Sequence, residues 1–238
     1  MFWVNGRDKI THKSEALLEG WVSKTMWRKG GAPNVPVQFF LGDELVGETI
    51  TGRFGRFSFP YHHTASGLVV IRVQVKGAPC HPGRIVHLVN LDHGLKKGLV
   101  ICDVDNTLAR FSLFTFMLKR PLGAFKGASE VLNKLSEKYY IVYLTHRDQR
   151  FSCLTKHWLE AKDFPPGPGF YWSLKDHPIS SRNYKSGVLA RIVSESQMPL
   201  VMGFGDKTGD IAAYEQAGIP KAFLIRGSED WLDILEVI

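Results

Sequence analysis

From residue 98 onward the chain alternates short apolar runs with polar, helix-forming stretches: "GLVICDV", "GASEVLNKLSEK", "YYIVYLT", "RFSCLTKHWLEA", "KSGVLARIVSES", "PLVMGFG", "DIAAYEQAG" and "KAFLIRG". In the helical stretches apolar residues recur three or four apart, as in Val131, Leu132 and Leu135 or Val188, Leu189 and Ile192. Apolar runs of this kind suit strands covered on both faces, so the alternation predicts an α/β fold with a parallel sheet between helix layers. The first 97 residues follow another pattern. Gly and Pro punctuate short alternating runs such as "LLEGWVSK", "VPVQFFL", "ELVGETIT", "LVVIRVQVK" and "RIVHLVNL". These predict a small β-sandwich, in which "GRFGRFSF" resembles the strand that follows a glycine turn in immunoglobulin-like or transthyretin-like modules. The polar segment "DHGLKKG" sets the boundary, giving a sandwich over 1–97 and an α/β domain over 98–238. "FPPGPGFYW" reads as a rigid loop, because its prolines forbid helix continuation.

With 238 residues, 44% hydrophobic and 22% charged, the chain has enough apolar material for such cores. No apolar run reaches the roughly 20 residues that span a bilayer, and "MFWVNGRDKI" lacks the basic-then-apolar order of a secretion signal. A soluble, cytoplasmic protein is expected. Cys80, Cys102 and Cys153 are widely spaced, which points to neither a disulfide framework nor a CxxC metal site. Most of the net charge of +7 sits in residues 1–97, where 13 Lys+Arg face 7 Asp+Glu. That basic module suits an anionic membrane surface, an acidic partner or nucleic acid, or is simply a solvated face.

Parallel sheets bind ligands outside the carboxyl ends of their strands, and the chemistry-bearing residues fall at those ends. "VICDVDNT" carries Asp103 and Asp105 out of an apolar strand, with Asn106 and Thr107 behind them. Two neighbouring carboxylates repel, and desolvation disfavours both. A divalent cation removes that objection, and hard oxygen donors suit Mg²⁺ together with a substrate phosphate. One aspartate can then serve as nucleophile while the other handles the leaving-group proton; a pair of capping aspartates is the structural alternative. "IVYLTHRD" ends an apolar run at Thr145, whose hydroxyl can hold a phosphoryl oxygen or cap a helix. His146 and Arg147 either add positive charge near a substrate or are exposed bystanders. Two lysines can neutralise an acidic site, Lys185 opening a helix in "NYKSGVLARI" and Lys175 in the loop "SLKDHP". In "VMGFGDKTGDIAAY" a strand ends at Gly-Phe-Gly, Asp206 follows, and Asp210 opens the next helix.

In chain order this set resembles the haloacid dehalogenase superfamily of phosphohydrolases. "DVDNT" is similar to its DxDx[TV] signature, Thr145 to its second motif, Lys185 to its third and "GDKTGD" to its acidic fourth. The resemblance implies a Rossmannoid sheet, with Asp103 as nucleophile and metal ligand and Asp105 as acid/base. Mg²⁺ would be held by the carboxylates of Asp103 and Asp206 and the backbone carbonyl of Asp105, with Asp210 completing the metal shell and steadying Lys185. Thr145 and Lys185 would bind the phosphoryl group, beside Asn106 and His146. The short spacing from Thr107 to Thr145 implies no large cap domain and an open site.

Within the superfamily the chain resembles lipin-type phosphatidate phosphatases and the related domain of membrane-associated phosphatidylinositol transfer proteins. The likeness rests on "VYLTHRDQRFSCLTKHWLEAKDFPPGPGFYWS" and "GFGDKTGDIAAYEQAGIPKAFLI"; it departs at Asn106, where lipins carry Gly. It implies a Mg²⁺-dependent phosphatase acting on phosphatidate. The alternatives are a non-catalytic phospholipid-binding module, or a phosphatase of small-molecule, protein or nucleic-acid phosphomonoesters. "FSLFTFMLKR", residues 111–120, is either a flap helix or a segment that touches an anionic membrane surface.

Overall fold

A computed structural model describes residues 1–25, 30–89, 96–110, 123–173 and 180–238. Residues 111–120, Lys175 and most of the "DHGLKKG" segment lie outside the described residues. The chain divides into two compact units: Met1–Leu91 with Arg150–His157, and Asp92–Gln149 with Trp158–Ile238.

The first unit is built from β1 (Phe2–Gly6), β2 (Lys9–Thr11), β3 (Glu15–Ser23), β4 (Pro36–Leu41), β5 (Glu44–Ile50), β6 (Arg56–His62), β7 (Gly67–Val75), β8 (Cys80–His81) and β9 (Gly83–Val89). They form two sheets, in the orders β6-β3-β1-β8 and β2-β9-β7-β4-β5. Strand β7 alternates buried and half-buried residues along its whole length, the period-2 signature of a sheet with one face on a core. Val4, Leu18 and Val22 from one sheet meet Val37, Phe39, Ile71 and Ile85 from the other in a common core, so the sheets form a sandwich. Most pairings are antiparallel, but β1 runs parallel to β8 and β2 parallel to β9. The short strands β1, β2 and β8 carry too little alternation to be read from sequence. Lys156 belongs to this unit; its Nζ donates to Asp8 Oδ1 at 2.6 Å and to the Arg84 carbonyl at 2.7 Å.

The second unit contains β10 (Leu99–Cys102), α1 (Ala128–Lys138), β11 (Tyr140–Asp148), the end of α2 (Ser152–Ala161), β12 (Gly169–Trp172), α3 (Ser181–Ser196), β13 (Leu200–Gly205), α4 (Thr208–Gln216), β14 (Ala222–Leu224) and α5 (Ser228–Val237). Its sheet has the order β12-β11-β10-β13-β14, with every pairing parallel. All four residues of the central β10 are buried. The chain first adds strands on one side of β10 and then crosses to the other, which leaves a crevice at the carboxyl ends of β10 and β13. This is the α/β architecture the alternation implies.

Two elements depart from expectation. Gly169–Trp172 are not loop but the edge strand β12. Pro165, Pro166 and Pro168 all precede the paired residues, so no ladder N–H is lost. Helix α5 closes the chain, its start tied by Asp230 Oδ2, which accepts from the Arg226 and Gly227 N–H groups at 2.6 and 3.0 Å. Its buried Trp231 donates Nε1–H to the Thr107 carbonyl at 2.9 Å, fixing the loop that leaves β10. Among the described residues no helix is long and apolar enough to cross a membrane.

His63 and His87 are buried in the sandwich, His63 Nε2 lying 3.1 Å from His87 Nδ1. Burial pushes the His87 imidazole down to about 3, with help from His63, Lys9 and Lys156 and against the pull of the Arg7 backbone. Between the ordinary value of 6.5 and about 3, the unfolded chain holds a proton that the folded chain refuses. Stability therefore falls as pH drops through that window, by about 1.4 kcal/mol per unit at its steepest. Urea unfolding of the full chain from pH 7 to pH 4 should show this loss, and His87→Gln should remove most of it; parallel curves for the two proteins would exonerate His87.

Candidate active site

The loop leaving β10 begins at Asp103, whose backbone N–H donates to the Phe204 carbonyl of β13 at 2.9 Å. Its carboxylate uses Oδ1 to accept from the Val104 N–H at 2.8 Å, which leaves Oδ2 for Lys185 at 2.9 Å. Lys185 is in the second turn of α3 and also reaches Asp210 Oδ1 at 2.7 Å. All three side chains are almost fully buried. Burial alone would lower the Lys185 pKa, but the carboxylates of Asp103 and Asp210 outweigh it and raise the ammonium above its ordinary value. The lysine is thus a fixed positive charge between two fixed negative ones.

Asp210 stands in the first turn of α4, where a carboxylate also meets the positive end of the helix dipole. Its approach depends on Gly205 at the end of β13: a Cβ there would stand 2.7 Å from the Asp210 Cβ. Asp206 follows at once and is half-buried. Burial pushes its carboxyl up to about 6, reinforced by Asp103 and opposed by Lys207. One of its oxygens, Oδ1, is buried with no hydrogen-bond partner. Asp103, Asp206 and Asp210 each offer a carboxylate oxygen within 4.8 Å of the others. Three hard oxygen donors, one of them buried and unsatisfied, fit a small divalent cation of the Mg²⁺ type.

The remaining residues fall less evenly. Thr145 is fully buried inside β11 rather than at its end, because that strand continues to Asp148. Its Oγ1 accepts from the Arg147 N–H at 3.3 Å. His146 is half-buried, its ring 5.0 Å from Trp172 and 5.8 Å from Tyr184. Asn106 adopts φ 54, a left-handed conformation open to Asn and to Gly. That accounts for the departure from the glycine of lipins: both residue types meet the same backbone demand.

The Asp105 carboxylate, expected as acid/base, is turned onto Arg147, which donates Nε–H to Oδ2 at 2.8 Å and an Nη2 hydrogen to Oδ1 at 2.9 Å. The backbone carbonyl remains the part of Asp105 expected to serve a metal. Arg147, for which the sequence offers either a positive charge near a substrate or an exposed bystander, is 1% exposed and makes this two-pronged ion pair. A signal for it was present: Thr145 and Arg147 are two apart, so a strand continuing past Thr145 puts both on one face.

A model of the PITM 1-3 LNS2 domain matches residues 100–225. No curated protein matches the chain. Among solved structures it is similar to a chain of the Pnkp1/Rnl/Hen1 RNA repair complex, with 16% identity and a TM-score of 0.47 over 56% of this chain and 43% of that one. It thus spans less than half of that relative. It is similar also to a HAD-like phosphatase from Mesorhizobium loti, with 16% identity and a TM-score of 0.42 over 73% of this chain and 93% of that one.

The Lys185 bridge makes a measurable demand on stability. Lys185→Met removes the one cation among the described residues that touches both Asp103 and Asp210, and breaking a buried pair typically costs about 3–5 kcal/mol. The loss should be largest at pH 7 and shrink toward pH 4, where the stranded carboxylates take up protons. Chemical denaturation at the two pH values checks this; equal losses would mean the charge of Lys185 does not matter to the fold. The family match covers more than half of the chain, and the chain belongs to the PITM 1-3 LNS2 family, with the α/β fold of haloacid dehalogenase-type phosphatases.

Proposed function

We propose that the second unit is a Mg²⁺-dependent phosphatase that hydrolyses a phosphomonoester through an aspartyl-phosphate. The observation that carries this reading is the buried Asp103–Lys185–Asp210 bridge beside Asp206, whose Oδ1 has no partner. It offers a nucleophile, a cation and an unsatisfied metal donor at one point. Phosphatidate is the substrate that the resemblance to lipin-type enzymes implies, with an anionic membrane surface as its setting.

Asp103, Asp206 and Asp210 would hold Mg²⁺, with the Asp105 backbone carbonyl beside them; bound there, the ion neutralises charge on the phosphoryl oxygens and lets the anionic substrate approach. An Asp103 carboxylate oxygen attacks phosphorus, the ester P–O bond breaks, and the leaving oxygen takes a proton from Asp105. Water then attacks phosphorus, Asp105 accepts its proton, and inorganic phosphate leaves with Asp103 restored. Lys185 holds the Asp103 carboxylate in one orientation and adds positive charge where negative charge gathers on the phosphoryl group. Thr145 is fully buried and its hydroxyl oxygen accepts from the Arg147 N–H, so it bears on the phosphoryl site through the backbone of β11 that carries Arg147.

A second reading rests on one specific observation. Arg147 occupies both carboxylate oxygens of Asp105, so neither is free to meet a leaving-group oxygen while that ion pair stands. A site held this way would bind a phosphate group with Mg²⁺ and turn it over slowly or not at all.

One set of measurements separates the two. Mg²⁺ should raise the melting temperature of the full chain, and Asp206→Asn should diminish that rise. With Mg²⁺ the protein should release phosphate from p-nitrophenyl phosphate or from phosphatidate in mixed micelles, and Asp103→Asn should lower the rate by at least about a thousandfold. Saturable binding of phosphatidate vesicles without phosphate release would establish the binding module instead.

A further inference from the structure

Beside the acidic cluster lies a cavity of about 470 Å³, lined by Asn106, Arg110, Phe125, Asp206, Ile225 and Arg226. Its size lies within the range of small-molecule sites. The cavity shares Asp206 with the cluster and Asn106 with the loop after β10, so whatever fills it adjoins the proposed phosphoryl site. Its wall is two-sided in character. Phe125 and Ile225 supply apolar surface, while Arg110 and Arg226 supply two guanidinium groups.

These two arginines are not counter-ions of the acidic cluster. The cations that bear on Asp206 are Lys207 and Lys185, and the partner of Asp103 and Asp210 is Lys185. Arg110 is anchored through its backbone, its N–H donating to the Gly123 carbonyl at 3.1 Å; Arg226 is anchored likewise, its N–H donating to Asp230. Among the described residues neither guanidinium makes an ion pair or a side-chain hydrogen bond. Both side chains are exposed, and both stand on backbone that is fixed at the rim of the cavity. Two like charges at one cavity repel each other, and an anion between them removes that repulsion.

From this juxtaposition we infer that the site takes a ligand with two anionic groups. One is the phosphoryl group at Asp103, Asp206 and Asp210. The second is a carboxylate or phosphate held by Arg110 and Arg226, with the connecting atoms against Phe125 and Ile225. The inference rests on the phosphoryl-site reading above and adds a specificity element to it. The second anion either belongs to the same molecule or is the headgroup of a neighbouring lipid in an anionic membrane; the recognising chemistry is the same.

The test uses ligands that cannot be hydrolysed, so it does not depend on turnover. Calorimetric titration of the full chain in Mg²⁺ should show one member of the series phosphonoacetate, 3-phosphonopropionate and 4-phosphonobutyrate binding at least about tenfold more tightly than propylphosphonate. Arg110→Gln/Arg226→Gln should abolish that preference. If the second anion comes from a neighbouring lipid, the soluble series shows no preference. In that case phosphatidate vesicles should sediment more protein when phosphatidylserine is added to phosphatidylcholine, and the double variant should lose that increment. If the double variant changes neither measurement, the inference is wrong. Failure of propylphosphonate and of every phosphonocarboxylate to bind, together with phosphatidate vesicles that sediment no protein, would overturn the phosphoryl-site reading beneath it. Circular dichroism of the double variant reports whether it remains folded; two exposed arginines replaced by glutamine should leave it so.

Discussion

The ammonium of Lys185, buried between Asp103 and Asp210, is the interaction on which the second unit depends. Without it the carboxyl ends of β10 and β13 would bring three carboxylates within 4.8 Å of each other, with no positive charge among the described residues reaching both Asp103 and Asp210. With it, two of the three are satisfied and the third, Asp206, still carries a buried oxygen with no partner. Burial is the main cause that raises the Asp206 carboxyl, with Asp103 adding to it, and the unpartnered oxygen gives a divalent cation a reason to bind.

How much of this was legible depended on how strongly each feature repeats a pattern. The alternation of strand and helix from residue 98 carried the second unit, because apolar strands and amphipathic helices have different periods. The paired aspartates of "DVDNT" and "GDKTGD" carried the acidic cluster, because residue type and strand context agreed at both. The strand β12 was hidden by its prolines, although all of them precede the ladder. The strands β1, β2 and β8 are too short for a period to show. Arg147 was hidden because a strand end was placed at Thr145, three residues early. The pairing of Arg110 with Arg226 spans 116 positions of sequence, and nothing local to either residue announces it.

The convergence of distant motifs follows from the strand order rather than from any motif. With β10 in the centre, β11 and β13 are its two neighbours, so the loops that leave these three strands must share one rim. Asp103 and Asp105 leave β10, Arg147 lies near the end of β11, and Asp206 and Asp210 follow β13. Two further contacts hold this rim in place. Trp231 of α5 ties down the loop after β10, and Gly205 admits α4 close enough for Asp210 to meet Lys185. Neither Trp231 nor Gly205 carries a charge, yet each helps fix where one stands. Sites of this type lose function through such displacements as readily as through loss of a ligand.

The two readings of the site differ in whether an Asp105 carboxylate oxygen can leave Arg147. A general acid must reach the leaving oxygen, and a carboxylate that accepts from a buried arginine at both oxygens has neither one free for that contact. Arg147 is anchored by its own burial, so it does not simply swing away. Asp105 is the freer partner, with 20% of its side chain exposed. Of the two partners, then, Asp105 is the one that a bound phosphoryl group would have to draw away, and the distinction between a binding module and an enzyme reduces to whether it does.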